Sequence, residues 1–233
     1  MFSPYHHCGN TTLLREQVSR LTASGSIPDN IMRLHNKYHF ALIHKLRSSR
    51  AHLDSLHRLL SETPPQDIVG QSNDFHFNAN LLIDNFFYSM GSSMDILARE
   101  VLSYYGIPLP QVVYFHRARN LISRTRPGDP ILRFLSDPSW KEEFSKYRNA
   151  LTHELLIVGK YSLDISVDGG IQRQKIVIPL PDNPRDEIDA RTYSKNKDVL
   201  QYCTKTFKRI LSFVNQVHGE IVKNIVSNNR LPI

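Results

Sequence analysis

The sequence predicts a mainly α-helical fold, an up-and-down helical bundle with one β-hairpin inserted at about residues 161–180. Residues 28–64, 73–105 and 198–228 each repeat apolar residues at intervals of three and four, which is the period of an amphipathic helix. Between residues 161 and 180 the apolar period becomes two, which is typical of paired strands. The expected parts are an N-terminal extension at residues 1–27, the bundle at 28–229 and a tail at 230–233.

Capping residues and helix breakers set the expected helix boundaries. Asp29 or Asn30 suits the N-cap of the first long helix, and the Pro64-Pro65 pair ends it. Asp137 is placed to cap a later helix that Pro138 opens, and Asp198 to cap the last one. Shorter helical patterns cover residues 13–21, 111–123 and 131–135.

Composition favours an anionic partner. The chain of 233 residues carries a formal net charge of +7 at pH 7, with a sequence pI near 9.4. Such an excess of positive charge attracts nucleic acid first and acidic membranes second. Because no apolar stretch is long enough to span a bilayer, we expect no membrane partner.

Cysteine usage and motif content exclude several classes of protein. The two cysteines, Cys8 and Cys203, indicate neither a disulfide framework nor a zinc motif. With no secretory signal at the N-terminus, we expect a cytoplasmic location. The chain contains no P-loop, no nucleophile elbow, no zinc-protease motif and no dinucleotide fingerprint.

One short helical segment carries residues suited to phosphate chemistry, namely Arg148, Asn149 and His153. Arginine is a permanent cation whose planar fork of donors fits a phosphate, and histidine exchanges a proton near neutral pH. Arg148 and His153 are five residues apart, roughly 140° around a helix axis. They therefore flank a groove in which a phosphate would lie between them.

Arg148-Asn149-x3-His153 resembles the R-x4-6-H motif of the HEPN superfamily, the "higher eukaryotes and prokaryotes nucleotide-binding" domains. The resemblance extends to the order of helical patterns over residues 30–229. It implies a bundle that dimerises so that both motifs face one cleft, where active members cut RNA without a metal. It also implies a toxin–antitoxin or antiviral setting, with an antitoxin or other protein as a further partner.

The loose form of this motif matches three other pairs, namely Arg33 with His39, Arg47 with His52 and Arg50 with His57. Arg148 differs from these arginines because Asn follows it at once and because it lies on a short, late helix. The structural alternative is that Arg148 and His153 only meet carbonyl groups near the end of their helix.

The reaction expected of these residues is attack by a ribose 2′-OH on the adjacent phosphorus, which gives a 2′,3′-cyclic phosphate and a free 5′-OH. His153 would exchange the protons, Arg148 would stabilise the phosphoryl charge, and Asn149 would hold the phosphate or the imidazole. One chain supplies one such histidine, whereas the reaction needs both an acid and a base. A homodimer would supply both, so we expect no cofactor and no catalytic metal.

Two further residues are expected beside the motif. Thr152 shares a helix face with Arg148 because the two are four residues apart. Asp95 lies in a segment similar to the second helix of some HEPN domains, although it also suits a surface ion pair with Arg99. Small residues at 89–93 precede it and would let the motif helix, or a second copy of the chain, come close.

The third helical pattern is basic and would bind an RNA backbone, although a solvated surface is the other interpretation. Its charged members are His116, Arg117, Arg119, Arg124 and Arg126.

The first long helix is rich in histidine. His35 and His39 are four residues apart and could share a metal, but no carboxylate or cysteine lies at helical spacing from them. We therefore expect exposed or cleft-lining histidines and no metal site.

Two alternatives to a nuclease remain open. A non-catalytic HEPN-like dimer would bind RNA or a protein partner, and a purely structural module would bind no RNA. Active HEPN toxins often carry Tyr two residues after the histidine, where this chain has Leu155. Glu154 places a negative charge next to the histidine, which would weaken phosphate binding.

Overall fold

A computed structural model of the chain describes residues 9–63, 72–111, 113–135, 139–153, 161–168 and 171–228. The mainly helical fold with a two-stranded hairpin is confirmed. The helices in the described residues are α1 (Gly9–Ala23), α2 (Asp29–Glu62), α3 (Ser72–Tyr104), α4 (Phe115–Thr125), α5 (Ile131–Phe134), α6 (Ser139–His153) and α7 (Val199–Asn228).

The long helices follow the predicted periods and breakers. After α1 the chain turns at Gly25, and after α3 it turns at Gly106, both with positive φ, as glycine permits. The predicted cap at Asp198 is confirmed, since its Oδ1 accepts a hydrogen bond from the Gln201 N–H at 3.0 Å. The predicted cap at Asp137, Pro138 beside it and the Pro64-Pro65 pair lie outside the described residues.

Two predicted boundaries are wrong. Asp29 or Asn30 was expected to cap α2, but α2 begins at Asp29, and the Pro28 carbonyl accepts the first hydrogen bonds, from the N–H groups of Ile31 and Met32. The third helix was expected from residue 111, but α4 begins at Phe115, and Tyr114 before it has extended backbone angles. Phe115, Ala118 and Ile122 are its buried residues, so its core contact is a single narrow stripe.

The hairpin consists of β1 (Ser162–Asp168) and β2 (Ile171–Val177), paired antiparallel with Leu163 opposite Ile176. A second short pair follows, formed by β3 (Pro179–Leu180) and β4 (Lys197–Asp198). This pair, which we did not predict, closes the loop between residues 181 and 196 at its base. Ile176, Ile178 and Leu180 are buried, whereas Leu163 and Ile165 are 42% and 56% exposed. Among the described side chains, the apolar face is therefore covered from Ile176 onward and exposed at Leu163 and Ile165.

The chain divides into two compact units. Unit 1 comprises Met1–Leu46, Ser92–Pro138 and Lys208–Ile233, and unit 2 comprises Arg47–Gly91 and Ser139–Phe207. In the core of unit 1, Leu14, Leu42 and Leu97 are fully buried. Among the helices of the described residues, none combines the length and apolar character that crossing a bilayer requires.

Aromatic side chains dominate the core of unit 2. Phe87 of α3 stacks on Phe144 of α6 with ring centroids 5.4 Å apart, and Tyr202 of α7 lies 6.1 Å from Phe87. Tyr147 meets Tyr202 edge to face at 5.2 Å. Each such pair contributes about 0.5–1.5 kcal/mol beyond the burial of its area. These contacts fix α6 against α3 and α7.

Candidate functional site

Helix α6 is held by its apolar stripe and by one buried hydrogen bond. Phe144 and Tyr147 recur at helical spacing and are buried. The Tyr147 hydroxyl donates to the Pro181 carbonyl at 2.7 Å, which ties α6 to the start of the loop after β3. The residue after Tyr147 is Arg148, so the anchored stripe determines where the guanidinium can reach.

Arg148 lies against the backbone of α3 at Gly91. A Cβ atom built on Gly91 would lie 2.5 Å from Arg148 Nε and 2.9 Å from its Cδ. No side chain therefore fits at position 91 while Arg148 keeps its place. The expectation that the small-residue segment lies against the motif helix is met at this position. Arg148, the candidate phosphate ligand, is therefore half-buried, and the backbone of α3 at Gly91 limits where its side chain can lie.

The structure places the other motif residues only in part. Asn149 is half-buried on α6 directly after Arg148. His153 is the last residue of α6, and Thr152 precedes it, but the side chains of both lie outside the described part of the chain. Asp95 is half-buried on α3, one turn beyond Gly91, and belongs to unit 1, whereas Arg148 belongs to unit 2.

The three rival arginine–histidine pairs all lie on α2. His39 is buried and hydrogen-bonded to Glu100, so its ring already has a structural partner. Arg50 pairs with Asp54 on the same helix at 2.8 Å, and its partner in the rival motif, His57, is exposed. All of these other motif matches lie on α2 and not on α6. Substitutions in them are therefore matched controls for substitutions of Arg148 and His153.

Asp84 is a polar residue that sequence reasoning missed. It precedes Gly91 by seven residues on α3 and is half-buried, and its Oδ1 has no hydrogen-bond partner among the described residues. Burial raises the pKa of the Asp84 carboxyl to about 6. Carboxyl groups with perturbed pKa values are common at functional sites. The sequence did contain a sign of this burial, because Asp84 lies directly after Ile83 and two residues before the Phe86-Phe87 pair, which are all core residues.

The basic residues of the third helical pattern form a surface on unit 1. Arg117, Arg119 and Arg124 are exposed on or beside the outer face of α4. Arg126 differs, because its guanidinium lies over the Tyr105 ring at 5.5 Å. Exposed Tyr114 stacks on His116 with centroids 5.9 Å apart. Cations beside an exposed aromatic ring suit a nucleic-acid strand.

Two of the five histidines of α2 were wrongly expected to be exposed or to line a cleft. His35 and His39 are each only 3% exposed, and both face Glu100, which lies on α3 and is fully buried. The carboxylate that sequence spacing could not supply comes from a residue 61 positions beyond His39. His44 and His57 are exposed, as expected.

The charge state of this buried cluster follows from its geometry. Burial lowers the pKa of His35 to about 4, which outweighs the attraction of Glu100. Burial alone would raise the pKa of Glu100, but His218 and His39 stabilise the carboxylate by charge and hydrogen bonds and hold the pKa well below its ordinary value. At neutral pH the cluster therefore contains a carboxylate beside a neutral His35.

Comparison with known proteins adds no family. No protein-family model, no curated protein and no solved structure matches this chain.

We predict that Gly91→Ala and Arg148→Ala are strongly coupled. In a helix interior Ala is about 1 kcal/mol more favourable than Gly. Because the new methyl group would displace Arg148, we expect Gly91→Ala to lower the unfolding free energy of the wild type by about 1–2 kcal/mol. In an Arg148→Ala background the same change is expected to raise it. Urea unfolding of the four proteins measures the coupling. Additive effects would contradict the close approach.

We predict that Asp84→Asn stabilises the protein at neutral pH and not in acid. The raised pKa means that the folded state binds the Asp84 proton more tightly than the unfolded state does. Stability is therefore lost as pH rises from about 4 to about 6, and the loss persists above pH 6. Allowing for its partial exposure to solvent, we expect Asn to recover about 1 kcal/mol at pH 7.5, or about 2–4 °C in melting temperature.

At pH 4 the two proteins should melt together, because a protonated Asp closely resembles Asn. Thermal melts at both pH values test this. A variant that is less stable at pH 7.5 would show instead that the ionised carboxylate is stabilising.

Proposed function

We propose that this protein is a metal-independent endoribonuclease of HEPN type that acts as a homodimer. The observation that carries the proposal is the position of Arg148. It lies on α6, the helix that also bears Asn149 and His153, and its half-buried side chain occupies the space that a Cβ atom at Gly91 of α3 would fill. An arginine that only keeps a helix surface hydrated needs no such space reserved for its side chain. The motif resemblance supplies the reaction class, and the confinement of Arg148 supports it.

The proposed reaction proceeds by transesterification. The 2′-oxygen forms a bond to the adjacent phosphorus, and the bond from phosphorus to the 5′-oxygen breaks. A histidine removes the 2′-OH proton, and a second one protonates the leaving 5′-oxygen. Arg148 stabilises the charge on the two non-bridging oxygens with a pair of parallel hydrogen bonds. The side-chain amide N–H of Asn149 donates a hydrogen bond to the same phosphate, or the amide orients the imidazole of His153.

Dimerisation supplies the second histidine, and unit 2 has exposed apolar surface suited to it. Phe77, Leu81 and Tyr88 of α3 are 65%, 45% and 55% exposed and recur at spacings of four and seven, so they share one helix face. Exposed aromatic residues on one face are typical of protein interfaces. We infer that this face of α3 contributes to the contact between the two copies.

A non-catalytic dimer that binds RNA or a protein is the second candidate. The exposed arginines of the α4 region favour the RNA partner. Exposed Leu163 and Ile165 on the hairpin favour a protein such as an antitoxin. Neither feature needs Arg148 or His153, so substitutions at these two residues separate the two candidates.

We predict that the purified protein cuts an RNA pool in EDTA and leaves 2′,3′-cyclic phosphate ends. Arg148→Ala and His153→Ala are each expected to slow cutting by roughly 10²–10⁴-fold, because each removes charge stabilisation or proton transfer from the transition state. The pool should contain structured and single-stranded RNA. Gel analysis of the fragments and of their ends measures the rate and the chemistry.

Arg50→Ala and His57→Ala are the matched controls for this assay, since they alter a rival motif pair on α2. Both should cut at the wild-type rate, and circular dichroism should show that all four variants remain folded. Cutting that persists in Arg148→Ala and His153→Ala would contradict the assigned site. RNA binding without cutting by the wild type would favour the non-catalytic dimer.

A further inference from the structure

Unit 1 contains a buried polar cluster that the proposed cleavage reaction does not use. Its members are His35 and His39 of α2, Glu100 and Tyr104 of α3, and His218 of α7, and none is more than 3% exposed. His35 and His39 are one helical turn apart, as are Glu100 and Tyr104. Two such pairs on facing helices bring four side chains to one point.

The donor atoms are spaced as metal ligands are. The Nδ1 atoms of His35 and His39 lie 3.9 and 2.8 Å from Glu100 Oε1. The three ligand atoms all lie within 4.8 Å of one another. In a tetrahedral zinc site with bonds of about 2.0–2.1 Å, neighbouring ligand atoms are about 3.3 Å apart. The two distances to Oε1 bracket that value, so small side-chain rotations would bring these three ligands within bonding distance of one ion. The His35 Nδ1 also hydrogen-bonds to the Tyr104 hydroxyl, which the ion would displace from that nitrogen.

The charge environment of Glu100 also favours a bound cation. Among the described residues the ionic partners of Glu100 are three histidines, with no lysine or arginine. A carboxylate inside a protein is costly unless a cation compensates it. A divalent cation would add to the compensation that His39 and His218 already supply, and two imidazoles with one carboxylate are a donor set that suits zinc and its neighbours in the transition series.

The groups around the three ligands are those that commonly orient a metal site. His218 Nε2 lies 3.2 Å from Glu100 Oε2, and its Nδ1 lies 2.9 Å from the Thr11 hydroxyl. The Tyr104 hydroxyl donates to Glu100 Oε1 at 3.1 Å. Both carboxylate oxygens are therefore held in place by hydrogen bonds, which is how outer residues fix a ligand and tune a metal.

We propose that His35, His39 and Glu100 bind one divalent transition-metal ion in unit 1, with Tyr104 and His218 orienting the carboxylate. The site is closed to solvent, so the ion stabilises the fold of unit 1 and takes no part in chemistry on RNA. Arg148 belongs to unit 2, and this proposal does not rest on the nuclease function.

The test uses the full chain without a histidine tag, with zinc as the probe. Metal content is first measured in the protein as purified, and then after EDTA dialysis, addition of zinc and desalting. We expect about one ion per chain and a melting temperature about 5 °C higher with zinc than with EDTA. His39→Gln and Glu100→Gln should retain almost no zinc. His57→Gln, an exposed histidine on the same helix, should retain it fully.

Cobalt substitution of the wild type tests the site without any variant, because a buried tetrahedral ion gives visible d–d absorption bands. Those bands are expected at one equivalent of cobalt. A wild type that retains no ion, shows no bands and melts at the same temperature with zinc or EDTA would overturn the proposal. Equal zinc retention in Glu100→Gln and His57→Gln would place the ion on surface histidines and overturn it as well.

Discussion

The close approach of α6 to α3 at Gly91 is the constraint on which the candidate site depends. A side chain at that position would occupy the space of the Arg148 stem, so the absence of a Cβ determines where the guanidinium lies. The aromatic cluster of unit 2 maintains the approach, because Phe87 and Phe144 stack one turn before Gly91 and Arg148 on their respective helices. The hydrogen bond from Tyr147 to the Pro181 carbonyl adds a link to the loop. The aromatic packing of unit 2 and the candidate site therefore lie on adjacent turns of α3 and α6.

Unit 1 contains a carboxylate, that of Glu100, which is compensated by protein groups because solvent does not reach it. Glu100 is fully buried, and its partners come from α2 and α7 as well as from α3 itself. Removing one partner would leave a buried charge less well compensated, which typically costs several kcal/mol. The cluster therefore joins three helices through polar contacts, whereas unit 2 joins its helices through aromatic rings. Contacts of a different kind therefore join the helices in each unit.

Local patterns made the helices predictable and left long-range contacts out of reach. The apolar stripe of α2, the end of α3 near residue 105 and the cap at Asp198 each depend on residues within a few positions, and all three are confirmed. The burial of His35 and His39 depends on Glu100, more than 60 positions away, so helical spacing alone gave the wrong exposure. The small residues of α3 were visible in the sequence, which placed them against the motif helix or a second copy of the chain, but the specific contact of Gly91 with Arg148 came only from the structure. The β3–β4 pair has two residues on each strand, too few for a period to be detected.

We propose that the helix bearing Arg148 and His153 directs a 2′-hydroxyl at the neighbouring phosphorus. The most direct measurement uses an RNA with one mapped cleavage site and the same RNA carrying a single 2′-deoxynucleotide on the 5′ side of that bond. The account predicts that the wild-type protein binds both RNAs equally and cuts only the first at that bond. Equal cutting of the two RNAs would show that the nucleophile is not the ribose hydroxyl and would contradict the account.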